Sequence, residues 1–179
     1  NGEYMRDAAT RTLVGLFDYD AEGEDNDERT RDAEELVDNA MAYYGPECGF
    51  APLLRIHQRN NGTAIRVTLV QSLTGMKFKH IVGNPMLSAN DIIFIAQLAM
   101  GALRKMHFAG IVHGAISDTS VLVNMDAQKP NVLFELPRRF PGLIYDTDID
   151  DLRKVLMLLH PRAVQLGVGE TFTAIVYQS

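Results

Sequence analysis

Three observations in the amino-acid sequence predict an α+β fold. Residues 64–73 alternate with period 2, as a strand with one buried face does, and residues 29–44 carry apolar positions at helical spacing. The two kinds of pattern also fail to interleave as repeated βαβ units, which sets aside a parallel α/β sheet. The predicted order is strand, helix, two-stranded hairpin, long buried helix, short β-ribbon with a polar loop, and helix.

Each element has its own signal. Residues 12–17 (TLVGLF) read as a short buried strand, and residues 18–28, acidic and containing Gly23, as a solvated loop. The helix over 29–44 places Ala33, Leu36, Val37, Ala40, Met41 and Tyr44 on one face and stops at Gly45-Pro46, because proline disfavours helical geometry before it. Strands at 52–58 and 64–73 are joined across Asn60-Asn61-Gly62, where Asn-Gly supplies the positive φ of a tight turn. In the second strand Ile65, Val67 and Leu69 face inward and alternate with Arg66, Thr68 and Val70. Residues 77–85 are ambiguous in pattern, with one short helix as a reading. Ser88 and Asp91 form a capping box ahead of residues 92–108, which are apolar on most faces and so buried, and Gly110 is the stop. Residues 111–113, 121–123 and 132–134 read as short strands. A final helix over 146–160, with Leu152, Val155, Leu156 and Leu159 inward, is stopped by Pro161, and 172–177 read as a strand.

Composition limits the function classes. The 179 residues, 46% hydrophobic, suffice for one domain or one domain in two unequal lobes. A formal net charge of -6 argues against nucleic acid as the partner, since phosphate neutralisation needs a Lys/Arg surface. No apolar run approaches the roughly 18 residues that span a bilayer, so the reading is a soluble domain. The opening Asn1-Gly2-Glu3-Tyr4 shows no signal-peptide pattern and no initiator Met, so preceding sequence is expected. One cysteine, Cys48, excludes a disulfide scaffold and reads as part of a Pro-Glu-Cys-Gly turn. His57, His80, His107, His113 and His160 lack paired ligand spacing, so no metal site is expected from them. Asn61-Gly62-Thr63 matches a glycosylation sequon, but the turn reading explains more.

The stretch 103–124, LRKMHFAGIVHGAISDTSVLVN, carries the functional reading. It resembles the protein-kinase catalytic loop and its approach, in which a buried helix leads to a His-Arg-Asp loop and a short strand. On that pattern His113 takes the His place and Gly114 the Arg place. Ala115 falls at the base, Ser117 at the Lys and Ser120 at the metal-binding Asn. Glu135-Leu136-Pro137 follows the next strand where a kinase carries Asp-Phe-Gly. Asp148 sits where the family's buried Asp braces the catalytic-loop backbone. Upstream there is no G-x-G-x-x-G, and the first lysine is Lys77. Leu16 or Phe17 stands about where the strand lysine belongs, so Glu34 or Glu35, at the helix-glutamate position, would have no lysine partner. Asp118 could act as a displaced base, but it reads better as a loop cap.

The resemblance implies a protein-kinase-like bilobal fold: a reduced N-lobe and hinge over residues 1–75 and a mainly helical C-lobe over 76–179. It implies a pseudokinase, not an enzyme, that needs no cofactor and no metal and acts as a scaffold or allosteric module for another protein. Two alternatives are a residual nucleotide-binding phosphotransferase and an unrelated α+β adaptor. The pair His113-Gly114 without a Gly-rich loop resembles the secreted apicomplexan rhoptry and parasitophorous-vacuole kinase-like proteins, in particular the With-No-Gly-loop group. That resemblance implies secretion to the parasitophorous vacuole or cyst wall. The chain departs from the family in having only ten residues between Pro137 and Asp148 and little chain after Pro161. Part of a fuller domain is therefore expected outside these residues.

Overall fold

The computed structural model describes residues 2–6, 13–126, 128–137 and 147–178. Among them the architecture is α+β, with six α-helices and two small antiparallel sheets.

The larger sheet has the order β1-β2-β4-β3, built from β1 (Gly2–Arg6), β2 (Leu13–Asp20), β3 (Leu53–Asn60) and β4 (Ile65–Ser72). Helix α1 (Asn26–Tyr43) packs on β4 and β3 through Ala33, Leu36 and Ala40. Of the stretch expected to be an acidic loop, residues 21–25 are loop and the two ends belong to the flanking elements. β2 runs on to Asp20, and α1 starts at Asn26 because Asp25 caps it, accepting from the Glu28 N–H at 2.9 Å. Asp27 and Glu28 then suit the positive end of the helix dipole. The buried stripe of α1 is narrower than expected: Met41 lies outside it and is 72% exposed. Val70 also differs from expectation and is buried, opposite Leu16 of β2.

The smaller sheet, β5-β6-β7, consists of β5 (Met76–Lys77), β6 (Val121–Asn124) and β7 (Asn131–Phe134). Between 77 and 85 only α2 (Phe78–Ile81) is helical, since Lys77 is used by β5. Helix α3 (Ala89–Phe108) carries the reciprocal Ser88–Asp91 capping box and ends at Gly110, whose φ of 77° suits a residue without Cβ. Residues 111–113 form no strand.

The expected single final helix is two, α4 (Asp148–Met157) and α5 (His160–Gln165). Pro161 starts the second rather than stopping the first, since the first turn of a helix needs no N–H from it. The tail is a helix, α6 (Gly169–Tyr177), not a strand. Phe172 and Val176, one helical turn apart, are both fully buried, and that spacing brings them to one face.

One buried cluster runs through sheet and helices, from Phe17 and Leu69 to Leu103, Phe134, Leu156 and Phe172. A 3-10 turn (Pro46–Cys48) wedges between α3 and β7, with Cys48 half-buried in it. Gly49 closes this turn at φ 87°, where a Cβ would lie 2.4 Å from the Ala102 carbonyl oxygen, so only glycine fits. Its own carbonyl accepts the Phe134 N–H at 2.8 Å, and Ala51 N–H donates to the Phe134 carbonyl at 2.9 Å, which registers β7 against the turn.

Candidate functional site

Asp148 stands at the first position of α4 and is fully buried. Its Oδ2 accepts the His113 N–H at 2.6 Å, and its Oδ1 accepts the Gly114 N–H at 2.8 Å. His107, in the last turn of α3, approaches Oδ2 through Nε2 at 3.3 Å. This is why residues 111–113 join no ladder: the His113 amide goes to a carboxylate, not to a neighbouring strand. Gly114 takes φ 71° and turns the chain so that two successive amides point the same way.

The His113 ring is buried beside Phe50 and Phe134, with centroids 6.1 and 5.8 Å away. Its Nε2 donates to the Glu135 carbonyl at 2.7 Å, and its Nδ1 accepts the Ala115 N–H at 3.2 Å. Those partners define a neutral imidazole with its proton on Nε2. Burial pushes the His113 pKa below the ordinary histidine value, outweighing the Glu135 carbonyl and the Asp148 charge, which both act the other way. The folded state therefore resists a proton that the unfolded state accepts, so stability falls as pH drops below about 6.5. Urea unfolding between pH 7.5 and 5 should show this fall. A His113→Gln variant, which keeps a donor toward Glu135, should lose less stability over the same range, and equal losses would remove His113 as the cause.

The loop after Ala115 satisfies itself. Ser117 N–H donates to Ser120 Oγ at 2.8 Å, and that hydroxyl reaches the carbonyls of Ala115 and Ser117 at 3.3 and 3.2 Å. Ser117 Oγ pairs with Thr119 Oγ1 at 2.9 Å. The Asp118 carbonyl accepts the Lys79 N–H at 3.0 Å and so ties the loop to α2. Both serines turn their hydroxyls into the loop, and Ala115 presents only a methyl group.

Glu135-Leu136-Pro137 is buried and held at nearly every polar atom. Glu135 N–H donates to the Ser120 carbonyl at 2.8 Å, and its carbonyl takes the His113 bond. Leu136 N–H donates to Gln71 Oε1 at 3.0 Å. Gln71, fully buried on β4, donates in turn to the carbonyls of Ala51 and Phe134 at 2.9 and 3.2 Å. The Pro137 carbonyl accepts from the Tyr19 hydroxyl, whose pKa burial raises far above the ordinary value, so it stays a donor.

The Glu135 side chain meets an internal cation. Lys77 Nζ lies 3.3 Å from Oε1, and the Tyr4 hydroxyl donates to Oε2 at 3.1 Å. The same ammonium sits 3.8 Å from the Tyr4 ring centroid, a cation–π contact. Burial alone would lower the Lys77 pKa, but the Tyr4 and Glu135 contacts more than offset it and leave the pKa raised. The result is a closed carboxylate–ammonium–phenol cluster.

The structure thus gathers His113, Gly114, Ala115, Ser117, Ser120, Glu135, Leu136, Pro137 and Asp148 into one hydrogen-bonded region. It does not bring the upstream candidates there as a pair: Phe17 is buried in the core, Leu16 is half-buried, and Glu34 and Glu35 are exposed on α1. Among the described residues no group of three or more His, Cys, Asp or Glu could hold a metal ion, and no helix is long and apolar enough to cross a membrane. Tyr4, Tyr19, Gln71 and Lys77 were not foreseen. Only Gln71 carried a signal, as an amide in the otherwise β-rich run VTLVQSL. No family model matches this chain, and no curated protein matches it.

Proposed function

We propose that this chain is a protein-kinase-like pseudokinase, non-catalytic, that serves as a scaffold or allosteric partner for another protein. The single observation that carries the reading is the Lys77–Glu135 pair. Where the kinase pattern needs a carboxylate open to magnesium, the carboxylate here is buried and neutralised by the chain's own ammonium. The other positions agree: Ala115 has no group to accept a proton, and Ser120 spends its hydroxyl on the loop backbone. A magnesium–nucleotide therefore does not fit these residues.

The bilobal reading is supported by the sheet order, by α1 packed on that sheet, and by the Asp148 brace beneath the loop. Residence in a parasitophorous vacuole or cyst wall, in the manner of the With-No-Gly-loop kinase-like proteins, belongs to the same proposal and rests on the His113-Gly114 resemblance.

Thermal unfolding with millimolar ATP, with and without magnesium or manganese, tests the non-catalytic reading. The expected result is an unchanged melting temperature. A rise of several degrees that EDTA abolishes would revive a nucleotide-binding phosphotransferase.

A further inference from the structure

Among the described residues strand β3 forms one edge of the larger sheet and pairs with β4 alone. The phase of that ladder follows from the hairpin, where Asn61 N–H donates to the Ala64 carbonyl at 3.2 Å. Hydrogen-bonded pairs alternate in an antiparallel ladder, so Arg59/Arg66, His57/Thr68 and Arg55/Val70 are the bonded pairs. The amides and carbonyls of Ile56, Gln58 and Asn60 therefore point away from the sheet. Among the described residues no other backbone group pairs with them. A β-bulge between Leu53 and Arg55 interrupts the start of the edge, but residues 56–60 run in regular register without proline.

The charge at this edge opposes that of the whole chain. The 43 residues between Glu47 and Asp91 hold no Asp or Glu, but hold Arg55, Arg59, Arg66, Lys77 and Lys79, in a chain of net charge -6. Arg55, His57 and Arg59 alternate onto one face of β3. There a groove of about 360 Å³ is lined by Asp18, His57, Gln58, Arg59, Arg66 and Thr68. Both acids in this region are engaged: Asp18 accepts from the Thr68 hydroxyl, and Asp20 holds Arg66 through contacts of 2.8 and 3.3 Å. Arg59 stands directly opposite Arg66, a like-charge pair, and has no carboxylate partner among the described residues.

We propose that the β3 edge docks an extended acidic segment of a partner protein as an added strand. The outward groups of residues 56, 58 and 60 bond its backbone, and Arg59 and His57 receive its Asp or Glu side chains. A second copy of this chain is the poorer occupant, because antiparallel pairing of β3 with itself about His57 sets Arg55 of each copy against Arg59 of the other. The proposal rests on the sheet alone and is independent of the pseudokinase reading.

The probe is a fluorescein-labelled octapeptide, Asp-Val-Glu-Val-Asp-Val-Glu-Val, titrated with the protein at low salt and followed by anisotropy. It should bind, weaken at least tenfold against Arg59→Glu, and lose binding when alternate peptide amides are N-methylated. The version with Lys for each acid should not bind. Overturning results are no binding at millimolar protein, binding that survives N-methylation, or equal binding of the Lys peptide. Dimerisation in sedimentation that Arg59→Glu alters would also overturn it, assigning the edge to a second copy. Should Arg59→Glu fail to fold, the peptide arms on the parent still decide.

Discussion

Replacing Asp148 by alanine should lower the melting temperature by about 10 °C. The carboxylate is fully buried and accepts two backbone amides, from the buried His113 and the half-buried Gly114. Hydrogen bonds to a charged acceptor contribute roughly 1.5–3 kcal/mol each, and losing them leaves the buried His113 donor unsatisfied. A combined cost of about 3 kcal/mol or more corresponds to that shift for a chain of this size. Asp148→Asn should fall between, since it keeps one acceptor oxygen and turns an NH2 donor toward the other amide. Hydrogen exchange gives the residue-level readout: the His113 and Gly114 amides should lose protection in Asp148→Ala more than the amides of β4 do. A variant that melts like the parent would mean that the loop is held by the His113 ring contacts alone.

Removing the internal cation should have the next largest effect. Lys77→Met leaves the buried Glu135 carboxylate without its ammonium, and breaking a buried pair from one side costs about 3–5 kcal/mol. Partial exposure of Lys77 moderates this to roughly 2–4 kcal/mol. The double variant Lys77→Met/Glu135→Gln should recover most of the loss, because it no longer buries a lone charge and the amide oxygen can still accept from Tyr4. Urea unfolding of the parent, both single variants and the double variant closes the cycle, and simple additivity would show that the two groups are not coupled. None of the four should gain an ATP-dependent melting shift, since Ala115 and Ser120 are untouched.

Several local features of this protein are determined by the sequence itself. The Ser88–Asp91 box starts α3 and Gly110 ends it, because capping groups and a positive-φ residue act within one turn of the chain. Asn61-Gly62 makes the β3–β4 hairpin for the same reason, and period-2 alternation picks out Ile65, Val67 and Leu69 as core. Local rules misjudged the ends. Pro161 opens a helix although a proline can also stop one, and residues 172–177 are too short for periodicity to separate helix from strand. The residues around His113 were legible as a group, because a loop, a short strand and the tripeptide after it lie close along the chain. What holds them was not legible. Gln71 reaches Leu136 across 65 positions, and Tyr4 reaches Glu135 across 131, with Lys77 arriving from a third element. Such meetings depend on which strands neighbour which in the folded sheet, and no spacing along the chain encodes a distance that only packing creates. The tertiary structure alone therefore decided that the Glu135 carboxylate faces an ammonium of its own chain.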